Sequence, residues 1–185
     1  MKHIEKLAAI RQLMHDKNID AYIIPSSDPH ISEYLPEYYQ CIKWTSGFTG
    51  SAGTLVITQN FAGLWTDSRY FVQANQQLAD SGFELVKLKV QHAPEYITWI
   101  AEQFPNGGSV AFDGNLASLL VANTVKSMLL PLSFEVNGHA DLLGPIWEGR
   151  PSLPINAAYL LGEDITGKNT ATKIAEVRVE TQKQS

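Results

Sequence analysis

Apolar residues at Ile4, Leu7, Ala8, Ile10, Leu13 and Met14 recur at helical spacing, so the chain opens on an amphipathic helix with one apolar stripe. Asn18 and Asp20 punctuate it, and the run Ala21-Tyr-Ile-Ile-Pro25 predicts a short strand. A turn-rich stretch follows at 26–34 (SSDPHISEY), and the pattern predicts a helix with a proline break over 32–44. Glycines at 47, 50 and 53 then crowd into SGFTGSAGT. Two short apolar runs, TLVIT at 54–58 and AGLWT at 62–66, flank Gln59-Asn60-Phe61 and read as a β-hairpin. Asp67 and Ser68 are suitable N-caps for a helix over 69–80. Beyond Ser81-Gly82, strands are expected near 83–90, 109–113 and 133–136, with helices near 94–104 and 116–129. Strands alternating with helices, plus one hairpin, predict an α/β fold: a mixed β-sheet with a hairpin, flanked by helices.

The pattern changes after Trp147. Two prolines and a glycine in Trp147-Glu-Gly-Arg-Pro-Ser-Leu-Pro154 read as an extended linker. Residues 170–185 predict a helix in which Ile174 and Val177 give only a thin apolar stripe, and so short and polar a helix is marginal in water. The expected organisation is a domain over 1–149, a linker over 150–169, and over 170–185 the first helix of a truncated second domain.

Composition narrows the function. With 185 residues, 44% of them hydrophobic and 18% charged, the chain can build a core without disulfides or a structural metal. Its formal charge of −5, from 14 Lys and Arg against 19 Asp and Glu, argues against a general nucleic-acid binder, whose affinity comes from cations on phosphates. Cys41 is the single cysteine, which excludes an internal disulfide and Cys-rich zinc or iron–sulfur sites. The charged N-terminus is no signal peptide, and no run approaches the ~20 apolar residues of a membrane span. A cytoplasmic, reduced protein with no membrane or nucleic-acid partner is the expectation.

The five histidines are scattered without metal-ligand spacing. The best local cluster is Asp28, His30 and Glu33, for which capping by Asp28 and local hydrogen bonding by His30 are the favoured reading. Asp28, Glu33, Asp67 and Asp113 near strand ends could be imagined as a two-metal nuclease site, but capping and turn formation account for each. GFTGSAG lacks the Lys-Ser/Thr of a P-loop and precedes a hairpin strand, so its glycines are read as a tight turn. Leu64-Trp-Thr-Asp-Ser-Arg-Tyr-Phe71 is more informative. Arg69 falls in the first turn of the expected helix, where a cation is disfavoured by ~0.3–1 kcal/mol when exposed. Something must offset this: Asp67, another acid, or an anion brought by a ligand. A structural ion pair is slightly favoured over a carboxylate ligand, which the planar guanidinium also suits.

Five ordered segments carry a resemblance: AYIIPSSDPHISEY (21–34), SGFTGSAGT (46–54), LWTDSRYFVQA (64–74), the pattern of Trp147, Arg150, Pro151 and Pro154, and TGKNTATKIAEVR (166–178). Together they resemble the amino-terminal region of the X-Pro aminopeptidases (aminopeptidase P) in the creatinase/prolidase family, particularly the long, three-domain cytosolic type. The resemblance implies a creatinase-like, non-catalytic domain of a metallopeptidase, a hydrolase that removes the residue preceding proline. In that family two divalent metals, commonly manganese, sit in a separate C-terminal domain, where a metal-bound water attacks the peptide bond. Those ligand motifs do not occur in these residues, so no catalytic residue, metal ligand or cofactor is expected here, and the piece alone is expected to be inactive. By motif match Arg69 would contact the substrate, with His30 and Asp67 in supporting roles; Ser68 stands where many relatives have Gly. The implied partners are short X-Pro peptides, the chain's own downstream domains and a second copy in a homodimer. The alternative is a non-catalytic protein-binding module, since creatinase-like domains also occur in a histone-chaperone subunit.

Overall fold

The computed structural model describes residues 1–183. Six strands form one sheet: β1 (Ala21–Pro25), β2 (Thr54–Thr58), β3 (Ala62–Thr66), β4 (Glu84–Lys87), β5 (Ser109–Phe112) and β6 (Glu135–Asn137). Their order is β4-β3-β2-β1-β5-β6. β2 runs antiparallel to β1 and β3, and every other neighbouring pair is parallel. Five strands therefore point the same way, and their carboxyl ends share one edge of the sheet. The expected mixed sheet with a hairpin is present.

Alternation along the strands sorts two cores. Tyr22, Ile24, Leu55, Ile57 and Leu64 face α1 (His3–Asp16), α2 (Cys41–Ser46) and α3 (Phe71–Gln77), whose Leu7, Ile10, Cys41 and Ala74 join one apolar cluster. Ala21, Ile23, Val56, Trp65 and Val110 face the other way, against α4 (Glu95–Gln103) and α5 (Leu119–Leu129) through Ile97, Ile100, Val125 and Leu129. β1 is buried along its whole length because both faces are covered.

The helix expected over 32–44 is the main correction. Residues 26–36 form a loop, Glu37–Tyr39 make one 3-10 turn, and α2 begins only at Cys41. The Ser32 amide that would open a helix instead donates to the Asp28 carboxylate at 3.0 Å, and Pro36 lies in extended backbone. α2 then stops at Gly47, whose φ of +86° lets its amide bond back to the Lys43 carbonyl at 2.9 Å. The helix expected over 69–80 is shorter too: a 3-10 turn over Ser68–Tyr70 leads into α3. Gly107, at φ +86°, makes the turn before β5, where an added Cβ would lie 2.2 Å from the Ser133 carbonyl oxygen.

The chain divides into two compact units, Met1–Leu153 and Pro154–Ser185. The first closes on Trp147, stacked on Trp44 with ring centroids 4.8 Å apart, and on Arg150, which lies over the Tyr38 ring at 3.8 Å. In the second, the short helix α6 (Glu163–Thr166) precedes α7 (Thr170–Lys183), where the Asn169 side chain accepts from the Thr172 amide at 2.9 Å. The last two residues of the expected 170–185 helix lie outside the described residues.

Candidate functional site

The loops that leave the carboxyl ends of β1, β3 and β5 begin alike. Asp28, Asp67 and Asp113 are all buried, at 2%, 6% and 7% exposure. Each accepts, through Oδ1, the amide two residues on: His30 at 2.9 Å, Arg69 at 3.1 Å and Asn115 at 2.9 Å. These carboxylates shape turns by satisfying backbone donors that the strands no longer pair. Burial raises the Asp28 carboxyl's pKa, but the Ser32 and His30 donors more than offset it and leave it below its usual value. Among the described residues no group of three His, Cys, Asp or Glu lies close enough to hold a metal ion. The acids spoken for in this way do not fit a two-metal centre. The same edge is where open α/β sheets take their ligands.

Arg69 finds its offsetting acid in Asp67. Nε donates to Oδ1 at 2.9 Å and Nη2 to Oδ2 at 2.8 Å, while the Arg69 amide caps the same carboxylate. Side-chain hydrogen bonds from Arg69 hold the Asp67 carboxyl below the usual carboxylate range against the opposing effect of burial. The guanidinium is half exposed, at 54%, and packs over Tyr70 at 5.3 Å. Nη1 keeps its donors free of protein partners among the described residues. A buried carboxylate thus holds an exposed fork in one orientation, with one nitrogen left to give.

Asp67 also lines a cleft of about 600 Å³ at this edge, with Glu33, Thr66, His92, Tyr96 and Leu120 among its walls. Glu33 lies within electrostatic reach of Arg69 without forming an ion pair among the described residues. His30 does not line it; its amide belongs to the Asp28 turn and its side chain is exposed. A smaller pocket of about 220 Å³ lies between this loop and the glycine turn, lined by Glu33, Tyr39, Lys43 and Thr49. The glycines there admit neighbouring rings: a Cβ at Gly50 would come within 2.2 Å of Phe48. Spacing could not reveal Tyr96 or Leu120 as cleft residues, because each begins an ordinary helix. A hydroxyl in the apolar stripe of α4 is the only signal they left.

With this edge and its clamped arginine, the fold defines a class. Residues 6–137 match the Creatinase/Prolidase N-terminal domain, and the chain belongs to that family. Over 182 residues it is 40% identical to human Xaa-Pro aminopeptidase 2, covering 96% of this chain and 26% of that protein. It is 38% identical over 187 residues to the Neurospora crassa protein named Probable Xaa-Pro aminopeptidase P, covering 97% of this chain and again 26% of the relative. A solved X-prolyl aminopeptidase from Caenorhabditis elegans, described as a cytosolic enzyme with a di-nuclear active site, superposes with a TM-score of 0.81 at 30% identity. That match covers all of this chain and 32% of the nematode enzyme. The chain spans about a quarter to a third of the length of these relatives. Among the described residues no helix is long and apolar enough to cross a membrane.

Proposed function

We propose that this chain is the accessory amino-terminal domain of a metal-dependent, cytoplasmic X-Pro aminopeptidase, where it shapes access to the active site and lends Arg69 to substrate binding. The observation that carries this reading is the clamp itself. Asp67, which lines a cleft of about 600 Å³, occupies two of the guanidinium's nitrogens and leaves Nη1 without a protein partner among the described residues. A side chain held this way loses little freedom when it meets a carbonyl or carboxylate, so its interaction is spent on positioning. In this reading Asp67 is the positioning residue and His30, on the loop that Asp28 shapes, has a supporting role. In this reading the divalent ions, manganese, belong to the downstream part and there supply the activated water. Short X-Pro peptides and a second copy of the protein are its partners.

The test is made on the full-length protein. Arg69→Ala is expected to lower kcat/KM toward a short X-Pro peptide about ten- to a hundredfold, the range of one charge-assisted hydrogen bond, while leaving the thermal midpoint in place. An unchanged kcat/KM removes Arg69 from the binding machinery. Failure of the unaltered protein to cleave any X-Pro peptide overturns the reading as a whole.

A further inference from the structure

The glycine turn SGFTGSAGT supplies no atom to the Asp67 clamp, yet it is built around the residue that follows Arg69. The Tyr70 ring is half-buried, and the Arg69 guanidinium lies over it at 5.3 Å. The ring meets Phe48, itself 1% exposed, in a T-shaped contact with centroids 5.7 Å apart. The Tyr70 and Ser51 hydroxyl oxygens are hydrogen-bonded at 2.7 Å. Two residues of one turn thus hold the ring at its side and at its tip.

The turn has anchors of its own. Ser26, just past β1, donates from Oγ to the Ser51 carbonyl at 2.9 Å, and its amide donates to the Gly53 carbonyl at 3.0 Å. From α3, the side chains of Gln73 and Gln77 donate to the Thr49 hydroxyl at 2.9 and 2.8 Å. The Thr49 amide donates in return to Gln77 Oε1 at 2.9 Å. Gly50 lets the two rings close, since a Cβ there would lie 2.2 Å from Phe48 and 2.7 Å from Tyr70.

The Asp67 clamp leaves one freedom that such a platform removes. Two parallel hydrogen bonds fix the donors of the fork, but the guanidinium can still tilt about the line joining Nε and Nη2. A ring face against it blocks that tilt on one side, and the cation is attracted to the face itself. We propose that Gly50, Ser51 and Tyr70 are positioning residues for Arg69. The glycine turn holds the Tyr70 ring, and the ring together with Asp67 sets the direction of the guanidinium. This rests on the reading of Arg69 as a substrate contact and gives the glycine turn a part in it.

The experiment has two arms. In this chain, labelled with nitrogen-15, the Arg69 Nε–H signal and its hydrogen exchange are followed. Tyr70→Leu and Gly50→Ala are expected to shift the signal and speed its exchange about twofold or more. Tyr70→Phe and Ser51→Ala delete the same hydrogen bond and should match each other at a smaller effect. A signal that stays in place in Tyr70→Leu, or in both Tyr70→Phe and Ser51→Ala, overturns the platform. In the full-length protein, Tyr70→Leu should raise KM for a short X-Pro peptide about two- to fivefold at constant kcat. It should change nothing further in an Arg69→Ala background. An equal loss with and without Arg69 would mean that Tyr70 acts on the fold and not on the guanidinium. If Arg69→Ala alone leaves kcat/KM unchanged, the substrate reading falls, and the Nε–H signal still decides whether the platform holds.

Discussion

Arg69 shows how one side chain resolves an electrostatic conflict. A guanidinium beside a helix start meets the positive end of the backbone dipole, and Asp67 answers it with a nearly buried carboxylate. The consequence is a pH dependence with a definite sign. Because the folded-state pKa of Asp67 lies below its unfolded value of about 3.9, the pair contributes fully above that value. The contribution disappears as pH falls through the depressed folded-state value. Urea unfolding of the parent and Asp67→Asn should show a stability gap that is flat near neutrality, closes below about pH 4, and narrows in high salt because Arg69 faces solvent. A gap that persists unchanged at pH 2.5 or so would mean the carboxylate is not held by the cation. The sequence left two readings of Arg69, an ion pair or a ligand, and the ion pair is present, with Nε and Nη2 both on Asp67. What it could not disclose is Tyr96. An aromatic at the start of a helical stripe looks like core until strand order brings the ends of β1 and β3 beside it.

At the scale of elements, legibility followed how local the cause was. The hairpin could be read because alternation and a three-residue connection sit side by side in sequence, and Phe61 closes the turn with Thr58. The stripe of α1 predicted its buried Leu7, Ile10 and Met14. The 32–44 helix failed because its would-be first amide was claimed by Asp28, a competition between side chain and backbone that propensity does not report. Gly107 is a second non-local constraint. Its positive φ costs an L-residue about 1–2 kcal/mol, and the Ser133 carbonyl of the turn before β6 occupies the place of a Cβ. Gly107→Ala is therefore expected to destabilise the chain by at least about 1–2 kcal/mol, measured by denaturant midpoint. Gly149→Ala is the informative comparison, since φ is positive there as well but nothing lies within 4 Å. Equal losses at both would show that backbone conformation alone matters and that the β5–β6 connection is not tightly packed.

The first unit as a whole is closed by its last residues. Arg150 is set between the Tyr38 and Trp147 rings at 3.8 and 4.8 Å, donates from Nε to the Tyr38 carbonyl at 3.1 Å, and reaches the Cys41 sulfur at 3.7 Å. Trp147 in turn stacks on Trp44. The segment that composition marked as a linker thus begins with a side chain fixed against α2 and the 3-10 turn before it, and the compact unit runs to Leu153. A partly desolvated cation on aromatic faces is worth about 2 kcal/mol, and its hydrogen bond adds about 1 kcal/mol. Cys41 reports on the same closure: it is 1% exposed, and burial pushes its thiol up to about 12 despite the opposing pull of Arg150. A thiol reagent should modify native Cys41 only through opening of this corner. Arg150→Ala should lower stability by about 2–3 kcal/mol and speed that modification some tenfold or more, whereas Arg178→Ala, on the exposed face of α7, should leave both within error. If Cys41 reacts at the same rate in all three proteins, the closing arginine does not hold the corner shut, and the unit's stability must be sought in the two cores on either side of the sheet.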